Sequence, residues 1–326
     1  MLVEVELKRK GGCGLLSTTM HMRAVLVFLL IVSYWAPASA VAKTKESWFR
    51  DSPLSVEAVT DLNSHLRDQT LVIQLADPTS YELEPLAHLK SGGTRSLVIG
   101  RWPSEDLLPA LTRLTRLGWR LTVLEGTYPT EWDLDRMNIL LPRSLQFAVT
   151  AYAGPEIFAL LGRLDSKIQV TVAFATLGFP RFMDRDALRA APLSVRFRFI
   201  QNYWPGYIHM DVLNMLPQEK DLWIRDLLPD AEALGYLRGI ERLSWLRFNT
   251  QSPAGTTEIW NQLPGISVEW QNQGPIPTAE ECQSFARSAP TNRRKLTLDT
   301  DFELSPTERR LLDSLDIDVL LLRTLQ

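Results

Sequence analysis

Cysteine is almost missing from this sequence. Only Cys13 and Cys282 occur in 326 residues, so no disulfide framework can hold the fold and its stability must come from a buried apolar core. Histidine is scarce too. His21, His65, His88 and His209 include no pair at metal-ligand spacing, and neither His-Glu-x-x-His nor Cys-x-x-Cys occurs. There is no G-x-S-x-G elbow, no phosphate loop and no G-x-G-x-x-G. The turn "SGGTRS" (91–96) is no phosphate cradle, because a strand pattern rather than a helix follows it. The pairs Asp133/Asp135, Asp299/Asp301 and Asp316/Asp318 lack the glycine and terminal glutamate of a calcium loop. These absences imply no cofactor and no metal. A formal net charge of −3 gives no basic face for nucleic acid, so none is expected as partner.

The first 40 residues read as a secretory signal peptide. Arg23 is followed by an apolar run from Ala24 to Trp35 and by Ala38-Ser39-Ala40, a basic region, a hydrophobic region and a small-residue cleavage site. Met20 and Met22 are alternative starts, which would put 1–19 upstream of the true one. The run is shorter than the roughly 20 residues of a membrane span, so the mature form is expected to have none, although an uncleaved anchor is the alternative. Cys13 has no apolar run before it and is not read as a lipid-attachment site. The localisation expected is periplasmic or secreted. Cys282 would then be the one remaining thiol, a packed side chain in the helical pattern "TAEECQSFA".

What the sequence does have is a repeat. Eleven short phrases recur at intervals of 21 to 30 residues: "LVIQL" (71–75), "LVIGR" (97–101), "LTVLE" (121–125), "LQFAV" (145–149), "IQVTV" (168–172), "VRFRF" (195–199), "LWIRD" (222–226), "LSWLR" (243–247), "ISVEW" (266–270), "LTLDT" (296–300) and "IDVLL" (317–321). Large apolar residues at the first and third places give the period of two of a strand with a buried face. Helix signals lie between them. "SEDLLPALTRLTRLG" has a leucine stripe, Ser104 as cap and Gly118 as stop. Ser305/Glu308 and Thr278/Glu281 form capping boxes, and Gly154-Pro155 opens another helix. The helix in 53–66, with no strand before it, reads as a cap on an open end, within a capping region 41–69.

A strand, a turn and a helix in about 25 residues make adjacent strands parallel. Eleven strands exceed the eight of a (β/α)8 barrel, so the expected fold is α/β: an open right-handed strand–helix solenoid over 70–326 with a parallel inner sheet. Here the sequence resembles the leucine-rich repeat family. Leu121 and Val123, or Leu243 and Trp245, match its L-x-L segment, and "LPALTRLTRLGWRLTVLEG" and "LGYLRGIERLSWLRFNT" resemble whole repeats. The resemblance implies a horseshoe with a concave recognition face. The family's Asn or Cys ladder has no match, since the corresponding positions, among them Ala76, Trp102, Gly126, Thr150 and Gln271, hold neither.

With first and third residues in the core, the second and fourth face the concave side. This strip is neutral in the early repeats, then basic and aromatic at Arg196, Arg198, Trp223 and Arg225, then acidic at Glu269 and Asp299. Arg and Trp are frequent binding anchors, so these residues are candidate ligand contacts. The competing expectation is that the arginines pair with Glu269 or Asp299 across strands. The loop "QNYWPGYIH" (201–209) adds Tyr203, Trp204 and Tyr207, placed either to stack on a ligand or to cover the helix layer. Phe147, Phe197 and Trp245 read as core. The function expected is an exported, non-catalytic recognition or scaffold protein binding another protein or a cell-surface polymer, with its oligomeric state open. The alternative is a secreted barrel hydrolase acting on carbohydrate through carboxylates at strand ends, with Glu125, Asp226 and Asp301 in those places.

Overall fold

The computed structural model describes residues 44–65, 69–90, 93–124, 127–175, 178–225, 227–249, 263, 266–272, 276–287, 294–299 and 303–324. Each of the eleven phrases overlaps a strand, and a twelfth strand precedes them. The strands are β1 (Thr44–Arg50), β2 (Thr70–Leu75), β3 (Arg95–Ile99), β4 (Arg120–Val123), β5 (Ser144–Val149), β6 (Gln169–Ala175), β7 (Arg196–Gln201), β8 (Glu219–Arg225), β9 (Leu243–Asn249), β10 (Ser267–Asn272), β11 (Arg294–Asp299) and β12 (Asp318–Thr324). The helices between them are α1 (Val56–His65), α2 (Ser80–Leu83), α3 (Leu108–Arg116), α4 (Glu131–Leu140), α5 (Pro155–Leu160), α6 (Phe182–Arg189), α7 (Tyr207–Asn214), α8 (Ala231–Gly239), α9 (Ala279–Arg287) and α10 (Pro306–Asp313). Among the described residues no helix is long and apolar enough to cross a membrane.

The strands form one parallel sheet in cyclic chain order. β1 pairs with β2 on one side and with β12 on the other, so the first and last strands join. Among the described residues the sheet is interrupted only between β4 and β5, which share no backbone ladder there but bring Cα atoms within 8 Å of each other. The strand–helix repeat is therefore real, but the row is a nearly closed barrel and not an open solenoid. Two facts of the chain explain the correction. The strand "TKESWFR" is mostly polar and lacks the L-x-V phrase, so the segment that resembled a cap is a member of the ring. Barrels also have no fixed strand number. Twelve strands about 4.8 Å apart close at a perimeter of about 58 Å, a width of about 18 Å before tilt.

The outer face of the sheet carries the core. Leu71, Ile73, Leu97, Leu121, Phe147, Val172, Phe197, Leu222, Phe248, Trp270, Leu298 and Leu321 are buried under helix residues such as Leu111, Leu134, Phe158, Leu188, Leu213, Leu237 and Phe285. Phe158, Phe174, Phe197 and Phe199 continue it as an aromatic run with ring centroids 5.2–6.4 Å apart. Cys282 is buried in this layer. The expected helix ends hold in most cases. Thr278 and Ser305 form their boxes with Glu281 and Glu308, α5 opens at Gly154-Pro155, and Gly118 stops α3 with φ 87°, a value that glycine adopts without strain. Ser104 instead precedes a 3-10 turn and makes no side-chain cap bond.

Two sets of side chains tie neighbouring units together in place of the absent ladder. Asn63, Asn138 and Asn214 each donate an amide hydrogen to the backbone oxygen of His88, Arg163 and Gly239, at 3.1, 2.8 and 2.7 Å. Each also accepts from the backbone nitrogen two residues further on, Lys90, Asp165 and Glu241, at 2.6, 2.8 and 2.8 Å. At the other end of the units, Trp102, Tyr128 and Tyr152 donate to Thr127, Ala151 and Gly178 oxygens at 3.3, 2.8 and 3.0 Å. Burial pushes the hydroxyl pKa of Tyr128 and Tyr152 up, so both remain donors.

Candidate functional site inside the barrel

A closed sheet turns its concave face into an interior, so the residues expected on an open strip meet each other. Strand register sorts them into rows. Thr171, Arg196 and Glu219 lie in one row. Ala173, Arg198, Asp221 and Trp245 form the next. The third runs Ile200, Trp223, Arg247, Glu269, Lys295 and Asp318. The fourth, toward the carboxyl ends of the strands, runs Arg225, Asn249, Gln271, Thr297 and Leu320.

Charges alternate along these rows, and opposite charges on adjacent strands attract. Arg198 and Asp221 pair at 2.9 Å with side chains 1% exposed, and Ser244 adds a hydrogen bond to Asp221 at 3.0 Å. Arg196 pairs with Glu219 and lies 3.8 Å from Asp221. Glu269, fully buried, is 3.8 Å from Arg247 and 3.3 Å from Lys295, and accepts from the Thr297 hydroxyl at 2.7 Å. Burial alone would push the Glu269 carboxyl up. Arg247, Lys295 and Thr297 outweigh it and hold the group below its ordinary value. Burial pushes Arg247 down to about 10; Glu269 opposes this, while Arg198 and Arg225 add to it as like charges.

Tryptophans fix the guanidinium groups. Arg247 and Arg225 lie 4.5 and 5.2 Å from the Trp223 ring centre, and Arg198 lies 5.1 Å from that of Trp245, distances at which a cation is attracted to the ring face. The Trp223 indole nitrogen donates to Asn249 at 2.9 Å. Arg225 and Trp245 are half-buried, whereas Trp223, Arg198 and Arg247 are covered.

Of the residues singled out in the sequence, Arg196, Arg198, Trp223, Arg225 and Glu269 thus share the interior. Tyr203 and Trp204 do not join them. The Tyr203 hydroxyl accepts from the Phe179 backbone nitrogen at 3.1 Å, its ring meets Phe179 edge-on at 5.4 Å, and Trp204 is half-buried against the outer core. His209 caps α7 nearby, its Nδ1 accepting from Gly206 at 3.1 Å; burial, with Arg181 adding to it, lowers its pKa. Glu125, Asp226 and Asp301 lie outside the described residues.

Asp221, Arg247, Lys295, Asn249 and Gln271 were not singled out as contacts. Asp221 lies just before its five-residue phrase. Arg247 was lost to a bulge: Lys220 pairs with Leu243 but Asp221 with Trp245, so Ser244 is skipped. Beyond it Leu246 and Phe248 turn into the core and Trp245 and Arg247 face inward, which corrects the expectation of Trp245 as core and Leu246 as face. The signal was present in the break of alternation within "LSWLRFN".

Among the described residues no three His, Cys, Asp or Glu side chains come together as a metal site. The interior can hold polar groups by guanidinium and amide hydrogen bonds. No known protein-family model matches this chain, and no curated protein shows significant similarity to it.

Proposed function

We propose that this chain is an exported, non-catalytic recognition protein that binds a polar segment of a cell-surface polymer or of another protein at the mouth of its barrel. The observation that carries the reading is the stack of guanidinium and indole groups in the interior, Arg225 and Arg247 on Trp223 and Arg198 on Trp245. Residues of these types dominate binding hot spots because they offer fixed donors and large planar surfaces without much conformational freedom. A ring about 18 Å wide has no room for a folded domain inside, which limits the ligand to an extended chain or a protruding group. Export rests on residues 23–40, outside the described residues.

A second reading is a secreted barrel hydrolase acting on carbohydrate, and ring closure favours it. Its chemistry needs a carboxyl that stays protonated as general acid. Glu269 is held ionised by Arg247 and Lys295, which speaks against it in that role. The two readings separate in one experiment. The full-length chain is mixed with insoluble cell-envelope polysaccharide and with envelope protein, then sedimented, and the supernatant is assayed for reducing ends. Retention without release is the expected result. Release of reducing ends would make the protein a hydrolase, and retention on neither material would end the recognition reading.

A further inference from the structure

We propose that Arg225, Asn249 and Gln271, side by side on β8, β9 and β10, form a receiving site for a carboxylate. The proposal deepens the recognition reading and rests on it. The three residues are in direct register across adjacent strands at the carboxyl-terminal end of the barrel wall. Neighbouring parallel strands lie about 4.8 Å apart, and inward side chains of a closed sheet converge, so donors two strands apart can meet one ligand group.

Each residue brings a separate argument. Arg225 is half-buried, so it is the member of the row that a solute meets first, and its guanidinium is held 5.2 Å from the Trp223 ring centre. A guanidinium offers a carboxylate two parallel N–H bonds, and one already positioned loses less freedom on binding. Asn249 gives its carbonyl oxygen to the Trp223 indole, which turns its amide nitrogen away from the ring. Gln271 is fully buried. Its Oε1 accepts from Arg247, while its Nε2 has no hydrogen-bond partner among the described residues. A buried donor without an acceptor is costly, and a ligand oxygen would satisfy it.

Charge points the same way. Among the described residues the row Arg225, Asn249, Gln271, Thr297, Leu320 contains no carboxylate, and Glu269 in the row below is already engaged by Arg247, Lys295 and Thr297. Arg225 also repels Arg247, adding to the effect of burial on that group. An anion between them relieves this repulsion.

The test uses the full-length chain with sodium glucuronate, N-acetylglutamate and, as the neutral counterpart, glucose. Tryptophan fluorescence and the melting temperature are followed in wild type and in Arg225→Ala and Gln271→Leu. Both acids are expected to shift the signals and glucose not. Arg225→Ala is expected to weaken the acids about tenfold or more, the loss of a charge-assisted hydrogen bond. Gln271→Leu is expected to weaken them less, with an unliganded fluorescence spectrum like that of wild type. An equal response to glucose would overturn the carboxylate site and leave recognition standing. Undiminished acid binding in Arg225→Ala would move the site elsewhere. No response to either acid at about a hundredfold the concentration of a millimolar site, in a chain that still sediments with envelope material, would remove the carboxylate proposal alone.

Discussion

Glu269 is placed where removing one partner should cost more than the interaction contributes. Its neighbours are the buried Arg247 and Lys295, whose side chain is 13% exposed, so truncating the carboxylate takes from both cations the counter-charge that they share. Glu269→Ala is expected to lower unfolding free energy by about 3–5 kcal/mol, read from urea denaturation. Thr297→Val, which removes one hydrogen bond to the same carboxylate, should cost about 1–2 kcal/mol. Lys220 poses a pH question on the opposite face of the sheet. Its ammonium is fully buried and donates to the backbone oxygens of Leu216 and Gln218 at 2.8 and 3.0 Å. Burial pushes its pKa from 10.5 down to about 8. The unfolded chain therefore holds this proton more tightly than the folded one, and the group's contribution to stability rises as pH climbs from about 8 toward 10.5. Comparing urea midpoints at pH 7.5 and 9.5, wild type should gain relative to Lys220→Met; parallel profiles would contradict the assignment.

At the scale of elements, the asparagine staples stand in for the ladder that the sequence lacks. Asn138, near the end of α4, closes two backbone hydrogen bonds around Leu164, and Asn63 and Asn214 do the same three units earlier and three units later. Asn138→Ala should cost about 1–3 kcal/mol and speed amide hydrogen exchange at 163–165 before it does so elsewhere. These elements also mark what the sequence could disclose. Every L-x-V phrase became a strand because alternation against a buried face is a local property of five residues. The staples are not legible from the leucine-rich repeat pattern, which places its asparagine after the strand, whereas these asparagines lie near helix ends. The bulge at Ser244 displaced one strand's facing by a residue, and with it Trp245 and Arg247 exchanged roles with Leu246. Only the spacing of three between Leu243 and Leu246, against two between Leu246 and Phe248, marks that slip in the strand's own residues.

For the whole molecule the decisive contact was non-local. Whether β1 meets β12 depends on curvature summed over twelve units, and no single phrase encodes that sum, so Arg198 and Glu269 were legible as charged and inward-facing but not as buried. The interruption between β4 and β5 carries a prediction of its own. The wall there is held by α3 against α4, by the Thr115 hydroxyl on the Leu140 oxygen at 3.2 Å and by Tyr128 on Ala151 at 2.8 Å, without a backbone ladder. Amides of β4 and β5 should exchange faster than those of β1 and β12, and Tyr128→Phe should widen the difference; equal protection would mean the gap is as tight as the rest of the wall.

The place where the sheet lacks its ladder and the place where its first and last strands meet do not coincide. Between β4 and β5 the chain runs through α4 without a ladder; β12 and β1, the last and first strands, are joined by the ladder. Every junction between neighbouring staves is thus secured by one kind of bond or the other. The two borders of the ladder, β4 and β5, are joined by α4, and the first and last strands are joined by the ladder, so opening of the ring falls on one of two sites a third of the circumference apart.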